Sequence, residues 1–207
     1  MAIAFQCHSS ASQDRLEQLI ADRLSPGADK ASIDQRVWDL FGETWAIMFT
    51  DLAGFSRGIA DFGVIHFLQV IYESQRLLLP VVRSHDGILL KLEGDSMLVI
   101  FRNPSKAVHC AVEMQRLLAP YNATKEAPER VELCVGIGHG RVLRIGDADV
   151  FGAEVNAAAK LSEDTAKRGE ILVTNAVAEI CAVDGGFACE PIDYVPPGAV
   201  RAFKLRY

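Results

Sequence analysis

Hydrophobic and polar positions alternate along the chain in blocks of two periods. DRLEQLIADRL and, after the break SPGAD, IDQRVWDLFG carry apolar residues at three- and four-residue spacing, which predicts two helices within residues 1 to 44. Leu16, Leu19, Ile20 and Leu24 form a stripe on the first, expected to dock on the rest of the chain in preference to a second copy. From Trp45 the run WAIMFT has the short continuous apolar character of a buried strand and ends in Asp51-Leu52-Ala53-Gly54. Residues 55–84 hold FLQVIYESQRLLLPVV, a helix with Pro80 at a kink or near its end. HDGILLKLEGDSMLVIFRNP is two apolar runs joined at Glu93-Gly94-Asp95, a hairpin, and residues 104–121 predict a second long helix. VELCVGIGHG reads as a strand leading through RVLRIG to a short loop. GAEVNAAAKLSEDTAK reads as a helix, EILVT as a strand, Ala176 to Cys181 as a short helix and AVRAFKL as a last strand.

This order predicts an α+β fold: a ferredoxin-like βαββαβ core at residues 45–207 with helices on one face, preceded by a helical N-terminal extension at residues 1–44. In such a sheet the strand ending at Asp51 and the hairpin carrying Asp95 are neighbours, so their carboxylates converge. Both sit beside glycine-containing turns, LAGF and EGDS, which let a phosphate chain approach the acids. Two hard carboxylates with room for phosphate form the usual Mg²⁺ donor set. Taken singly, each aspartate fits a turn or capping role better than a ligand's.

Charge and composition remove several function classes. Lys plus Arg number 21 against 27 Asp plus Glu, a net charge of −6, so the basic face of a nucleic-acid binder or polybasic membrane anchor is missing. No apolar run is long enough to span a bilayer and the N-terminus lacks a signal-peptide layout, so the expected location is the cytoplasm. The five cysteines, Cys7, Cys110, Cys134, Cys181 and Cys189, form no CxxC pair and are odd in number, which points to reduced thiols. No GxxxxGK[ST] loop, GxSxG elbow or HExxH helix is present, and Gly136, Gly138 and Gly140 lack a dinucleotide-binding layout.

FTDLAGFS, KLEGDSMLVIF and DVFGAEVNAAAK, in that order, resemble the class III nucleotidyl cyclases, the adenylate and guanylate cyclase catalytic domain, over roughly Trp45 to Tyr207. The resemblance implies attack of a nucleoside triphosphate's 3′-hydroxyl on its own α-phosphorus, giving a 3′,5′-cyclic monophosphate and pyrophosphate. It implies that Asp51 and Asp95, with the Leu52 carbonyl, bind two Mg²⁺ or Mn²⁺ ions per site, one acidifying the attacking hydroxyl and one neutralising the triphosphate. Gly54 and Phe55 would border the substrate. Lys91 and Asp149 would read the base. A lysine only donates and an ionised aspartate only accepts, so the pair matches adenine's N1 acceptor and 6-amino donor, and ATP is expected over GTP. Asn156 would orient the ribose and Lys160 would meet the α-phosphate. The family also implies a head-to-tail homodimer, with Asp51, Asp95 and Lys91 from one wing of each site and Asp149, Asn156 and Lys160 from the partner's.

Two positions depart from the family pattern. Lys160 stands where the family has arginine, keeping the charge but losing the bidentate fork. In DYVPPGAVRAFKL the family's triphosphate lysine falls near Pro196, leaving Arg201, Lys204 or the lysine of Lys167-Arg168 to substitute. His139, Arg141 and Arg144 are further candidates for phosphate, whereas His66 and His109 lie in helical runs. The alternative to an enzyme is a catalytically weakened or inactive nucleotide-binding regulatory module of the same fold.

Overall fold

A computed structural model describes residues 11–54, 62–184 and 186–207. The order is α1 (Ala11–Leu24), α2 (Lys30–Phe41), β1 (Gly42–Leu52), α3 (Val64–Ser84), β2 (Ile88–Glu93), β3 (Ser96–Phe101), α4 (Pro104–Ala123), β4 (Leu133–Ile145), β5 (Asp149–Phe151), α5 (Ala153–Lys160), β6 (Ile171–Thr174), α6 (Asn175–Asp184), β7 (Ala188–Pro191) and β8 (Ala202–Arg206). The strands form one sheet in the order β2-β3-β1-β4-β6-β8-β7, with β5 added to β4. Its first four strands are antiparallel, the ferredoxin-like arrangement expected from the element order, and β6 runs parallel to β4.

The alternation along β1 divides the core. Ala46, Met48 and Leu52 join Val135 and Ile137 beneath α3, α4 and α6, while Trp45 and Ile47 join Leu98, Ile100 and Val142 beneath α5. Helices therefore cover both faces, not one, because α5 returns across the opposite side of the sheet from α3 and α4. Its approach explains the glycines of GIGHG, which lie inside β4: a Cβ at Gly136 would fall 2.1 Å from the Ala158 carbonyl oxygen, and one at Gly138 2.5 Å from that of Glu154. The Glu154 carboxylate fastens the contact, accepting from the His139 amide at 3.1 Å and from Thr174 Oγ1 at 2.7 Å.

Several elements differ in extent from their sequence reading. RVLRIG continues β4 as one strand to Ile145, and the short loop follows it. Asp149 belongs to β5, whose three residues are too short to show a period. The α-helical part of GAEVNAAAKLSEDTAK stops at Lys160 and widens into a π turn over Leu161–Thr165.

The N-terminal helices pack in cis. Asp29 caps α2 by accepting from the Ser32 amide, and Leu19, Ile33, Val37 and Phe41 close over Ile145. Of the predicted stripe, Leu19 is buried and Leu16 packs beside it, whereas Ile20 and Leu24 face outward. α2 passes into β1 at Gly42 without a linker, and Arg141 stacks on Trp38 at 4.3 Å. Among the described residues no helix is long and apolar enough to cross a membrane.

Candidate active site

The antiparallel pairing of β1 with β3 sets Thr50 opposite Met97, which brings the end of β1 to the turn that carries Asp95. It is β3 rather than β2 that borders β1, and the turn between them still delivers the acid. Ser96 Oγ donates to Asp51 at 3.4 Å, and Asp95 lies near enough for its charge to act on the Asp51 carboxyl. Burial first, and the Asp95 charge second, push Asp51 up to about 6. Burial also raises Asp95, opposed by backbone amides that include that of Leu52.

Two carboxylates held together in a partly buried place carry both charges at neutral pH only at a cost that a divalent cation offsets. This donor set fits Mg²⁺ or Mn²⁺, which bind through one or two carboxylates and take remaining ligands from phosphate. Among the described residues no group of three or more His, Cys, Asp or Glu is placed to hold a metal, so backbone and substrate oxygens must complete the shell.

A cleft of about 210 Å³ opens beside these acids, lined by Phe49, Lys91, Ser96, Leu98, Asp149 and Glu163 among others. Lys91 Nζ donates to Asp149 Oδ2 at 2.6 Å, and this bond holds Lys91 above its ordinary pKa. The pair is assembled within one chain, by β2 and by β5 lying along β4. Within one chain Lys91 thus stands with Asp149, whereas the resemblance implied that the two come from opposite wings of a shared site. Glu163 reaches the cleft through the π turn, where burial raises its pKa.

Asn156 and Lys160 stand one turn apart on the exposed side of α5. Lys160 Nζ is paired with Asp164 at 2.7 Å, and neither Asn156 nor Lys160 lines this chain's cleft. Phe55 lies outside the described residues. Gly54 turns the chain after Asp51 at φ +85°, a conformation that favours glycine.

The other cations separate clearly. Arg168 is the one the sequence could not single out: a terminal guanidinium nitrogen lies 3.6 Å from where a Gly54 Cβ would be, against the turn that follows Asp51. Both loops hang from the start of β4, through Ala53 N–H to the Glu132 carbonyl and Gly169 N–H to the Leu133 carbonyl. Lys204 is engaged by Glu170 at 2.6 Å, and Arg201 lines a groove at the far edge of the sheet. Arg141 and Arg144 stack on Trp38 and Trp45, and His139 is half-buried with its pKa lowered by burial, so none of the three serves the cleft. Pro196 offers only its carbonyl, which accepts from the Ala199 amide, while Gly198 packs on Ala153 at the start of α5.

Comparison with known proteins bears on the fold and the family. The chain is 32% identical over 135 residues to putative adenylate cyclase 3 of Rhizobium meliloti (strain 1021), covering 65% of this chain and 22% of that one. It is 32% identical over 131 residues to the serine/threonine-protein kinase pkn2 of Myxococcus xanthus, covering 63% and 16%. The chain thus spans less than a quarter of either relative. Among solved structures, an adenylate/guanylate cyclase/hydrolase from Silicibacter pomeroyi superimposes with a TM-score of 0.70 at 25% identity, over 80% of this chain and 98% of that one. The profile of the adenylate and guanylate cyclase catalytic domain matches residues 41–199, a span that takes in the acid pair, the Lys91–Asp149 pair and α5, and the chain belongs to that family.

Proposed function

We propose that the chain converts ATP to 3′,5′-cyclic AMP and pyrophosphate at sites shared between two copies. The observation that carries this reading is the pairing of β1 with β3, which brings Asp51 to the turn of Asp95; the Lys91–Asp149 pair of the other copy reads the base. Asp51 and Asp95, with the Leu52 carbonyl, would hold Mg²⁺ or Mn²⁺, which would acidify the attacking hydroxyl and neutralise the leaving pyrophosphate. Lys91 donates to adenine N1 and Asp149 accepts from the 6-amino group. Guanine reverses both requirements, which favours ATP. Arg168, beside the Gly54 turn, faces the triphosphate end and takes over the charge that Pro196 lacks. Asn156 and Lys160 point outward, which suits residues that serve the partner's acids: Asn156 holds the ribose and Lys160 meets the charge growing on the α-phosphate.

Incubation with ATP and Mn²⁺, with products resolved by chromatography, tests the reading directly. Cyclic AMP and pyrophosphate in equal amounts are expected. ATP bound without turnover would instead establish the regulatory module, which Lys160 and its pairing with Asp164 favour.

Two substitutions probe the phosphate contacts. Lys160→Arg restores a planar bidentate donor at a transition-state contact. Loss of an arginine there costs on the order of 10³ to 10⁵ in phosphoryl transfer, and a retained lysine recovers part of it, so a gain of roughly tenfold in kcat is expected. An unchanged kcat would remove Lys160 from the α-phosphate. Arg168→Ala should raise the KM for ATP by about tenfold, the worth of one charge-assisted hydrogen bond to phosphate. If KM stays put, another cation holds the triphosphate.

A further inference from the structure

We propose that Glu170 is a positioning residue for the triphosphate contact: braced by Lys204 of β8, and with Tyr207 holding the neighbouring carbonyl, it fixes the turn that presents Arg168 to the phosphates. The inference rests on the reading of Arg168 given above and names what holds that cation in place. Arg168 is exposed and sits second in a four-residue turn, so the backbone of the turn decides where its guanidinium can reach. The Glu170 amide donates to the Lys167 carbonyl at 2.8 Å and Gly169 has φ +73°, the pattern of a type II turn with glycine in third place. Glu170 Oε2 reaches back to accept from the Lys167 amide at 3.0 Å, which closes the turn a second time through the side chain. Glu170 Oε1 accepts from Lys204 Nζ at 2.6 Å, and Tyr207 Oη donates to the Gly169 carbonyl at 2.5 Å. The residues on both sides of Arg168 are thereby tied down.

The same contacts aim the turn at the acids. Gly169 N–H donates to the Leu133 carbonyl at 2.9 Å, and the next residue of β4, Cys134, is the register partner of Asp51. The turn therefore hangs one residue along β4 from the partner of Asp51, and from there Arg168 meets the Gly54 turn. The Lys204 and Glu170 side chains are 29% and 19% exposed, so their pair is shielded from salt, unlike the open Lys160–Asp164 pair. Burial by itself would raise the Glu170 carboxyl, but the bonds from Lys204 and the Lys167 amide outweigh it and hold the group below its ordinary pKa. A long arginine side chain gives up rotamer freedom when it binds phosphate, and a backbone fixed in advance leaves less to order at that moment.

The test measures equilibrium binding of 3′-deoxy-ATP with Mn²⁺ by calorimetry, since this nucleotide lacks the attacking hydroxyl, alongside cyclic AMP formation from ATP. Glu170→Ala should weaken binding about fivefold and the milder Tyr207→Phe about twofold, each also seen as a raised KM for ATP with kcat unchanged. In an Arg168→Ala background neither should add anything, because the residue they position is gone. Equal losses with and without Arg168 would overturn the proposal and leave Glu170 a structural acid, and so would unchanged binding in both variants. Either result from a parent that forms cyclic AMP removes this inference alone. A parent that binds 3′-deoxy-ATP but forms no cyclic AMP removes the cyclase reading, and the comparison with Arg168→Ala still decides the role of Glu170.

Discussion

Asp51→Asn should abolish cation-dependent turnover while making the metal-free protein more stable at neutral pH. A divalent cation contributes several kcal/mol of transition-state charge stabilisation, and each 1.36 kcal/mol is tenfold in rate, so a fall on the order of a thousandfold is expected, with Asp95→Asn close behind. The stability effect has the opposite sign because the acid pair is costly by itself. Burial and the Asp95 charge raise Asp51 to about 6, above its unfolded value, so the folded state holds the proton more tightly than the unfolded chain. The cost of ionising Asp51 is absent below about pH 4, appears as pH rises between 4 and 6, and is present in full above 6. The neutral amide avoids it. The variant should therefore melt a few degrees higher than the parent at pH 7 in a chelator, and the gap should close as pH falls to 4. Mn²⁺ should raise the melting temperature of the parent and leave Asp51→Asn unmoved. A variant less stable than the parent at pH 7 would mean that Asp51 is a structural acid, and the candidate site would lose its centre.

How much of this site was legible in the sequence follows the range of the contacts that build it. Asp51 and Asp95 were readable because each is placed by local chemistry, a strand end and a hairpin turn, and one antiparallel pairing joins them. Asn156 and Lys160 share a helical face by spacing alone. The Lys91–Asp149 bond joins residues 58 positions apart and depends on three residues of β5 lying along β4, which no hydrophobic period announces. Knowing both residue types therefore did not reveal that one chain supplies both. Arg168 was hidden for a similar reason, since its meeting with the Gly54 turn needs β6 in place beside β4. The glycines of GIGHG were visible as letters, but their cause is a helix that packs on them from later in the chain. The π turn, which brings Glu163 to the cleft, interrupts a segment whose composition reads as continuous helix.

The Lys91–Asp149 bond yields a prediction that separates two ways of sharing a site between chains. In a head-to-tail homodimer each site takes its acids, with Arg168, from one copy and its base, ribose and α-phosphate residues from the other. Asp51→Asn and Asn156→Ala should each be nearly inactive, the second because losing one positioning donor costs on the order of a hundredfold. Mixed in equal amounts under exchange, half the dimers are heterodimers, and each of these carries one fully intact site and one doubly damaged one. Activity should return to about a quarter of the parent's. Lys91→Ala mixed with Asn156→Ala decides the division of residues. With Lys91 hydrogen-bonded to Asp149 in the same chain, both substitutions fall in the same half of the site, every heterodimer site carries one of them, and the mixture should stay dead. Had Lys91 belonged with the acids, that mixture would recover as the first one does. Recovery there would show that the Lys91–Asp149 bond gives way when two copies meet. Failure of the first mixture, at concentrations where the copies exchange, would mean that one chain builds its site alone.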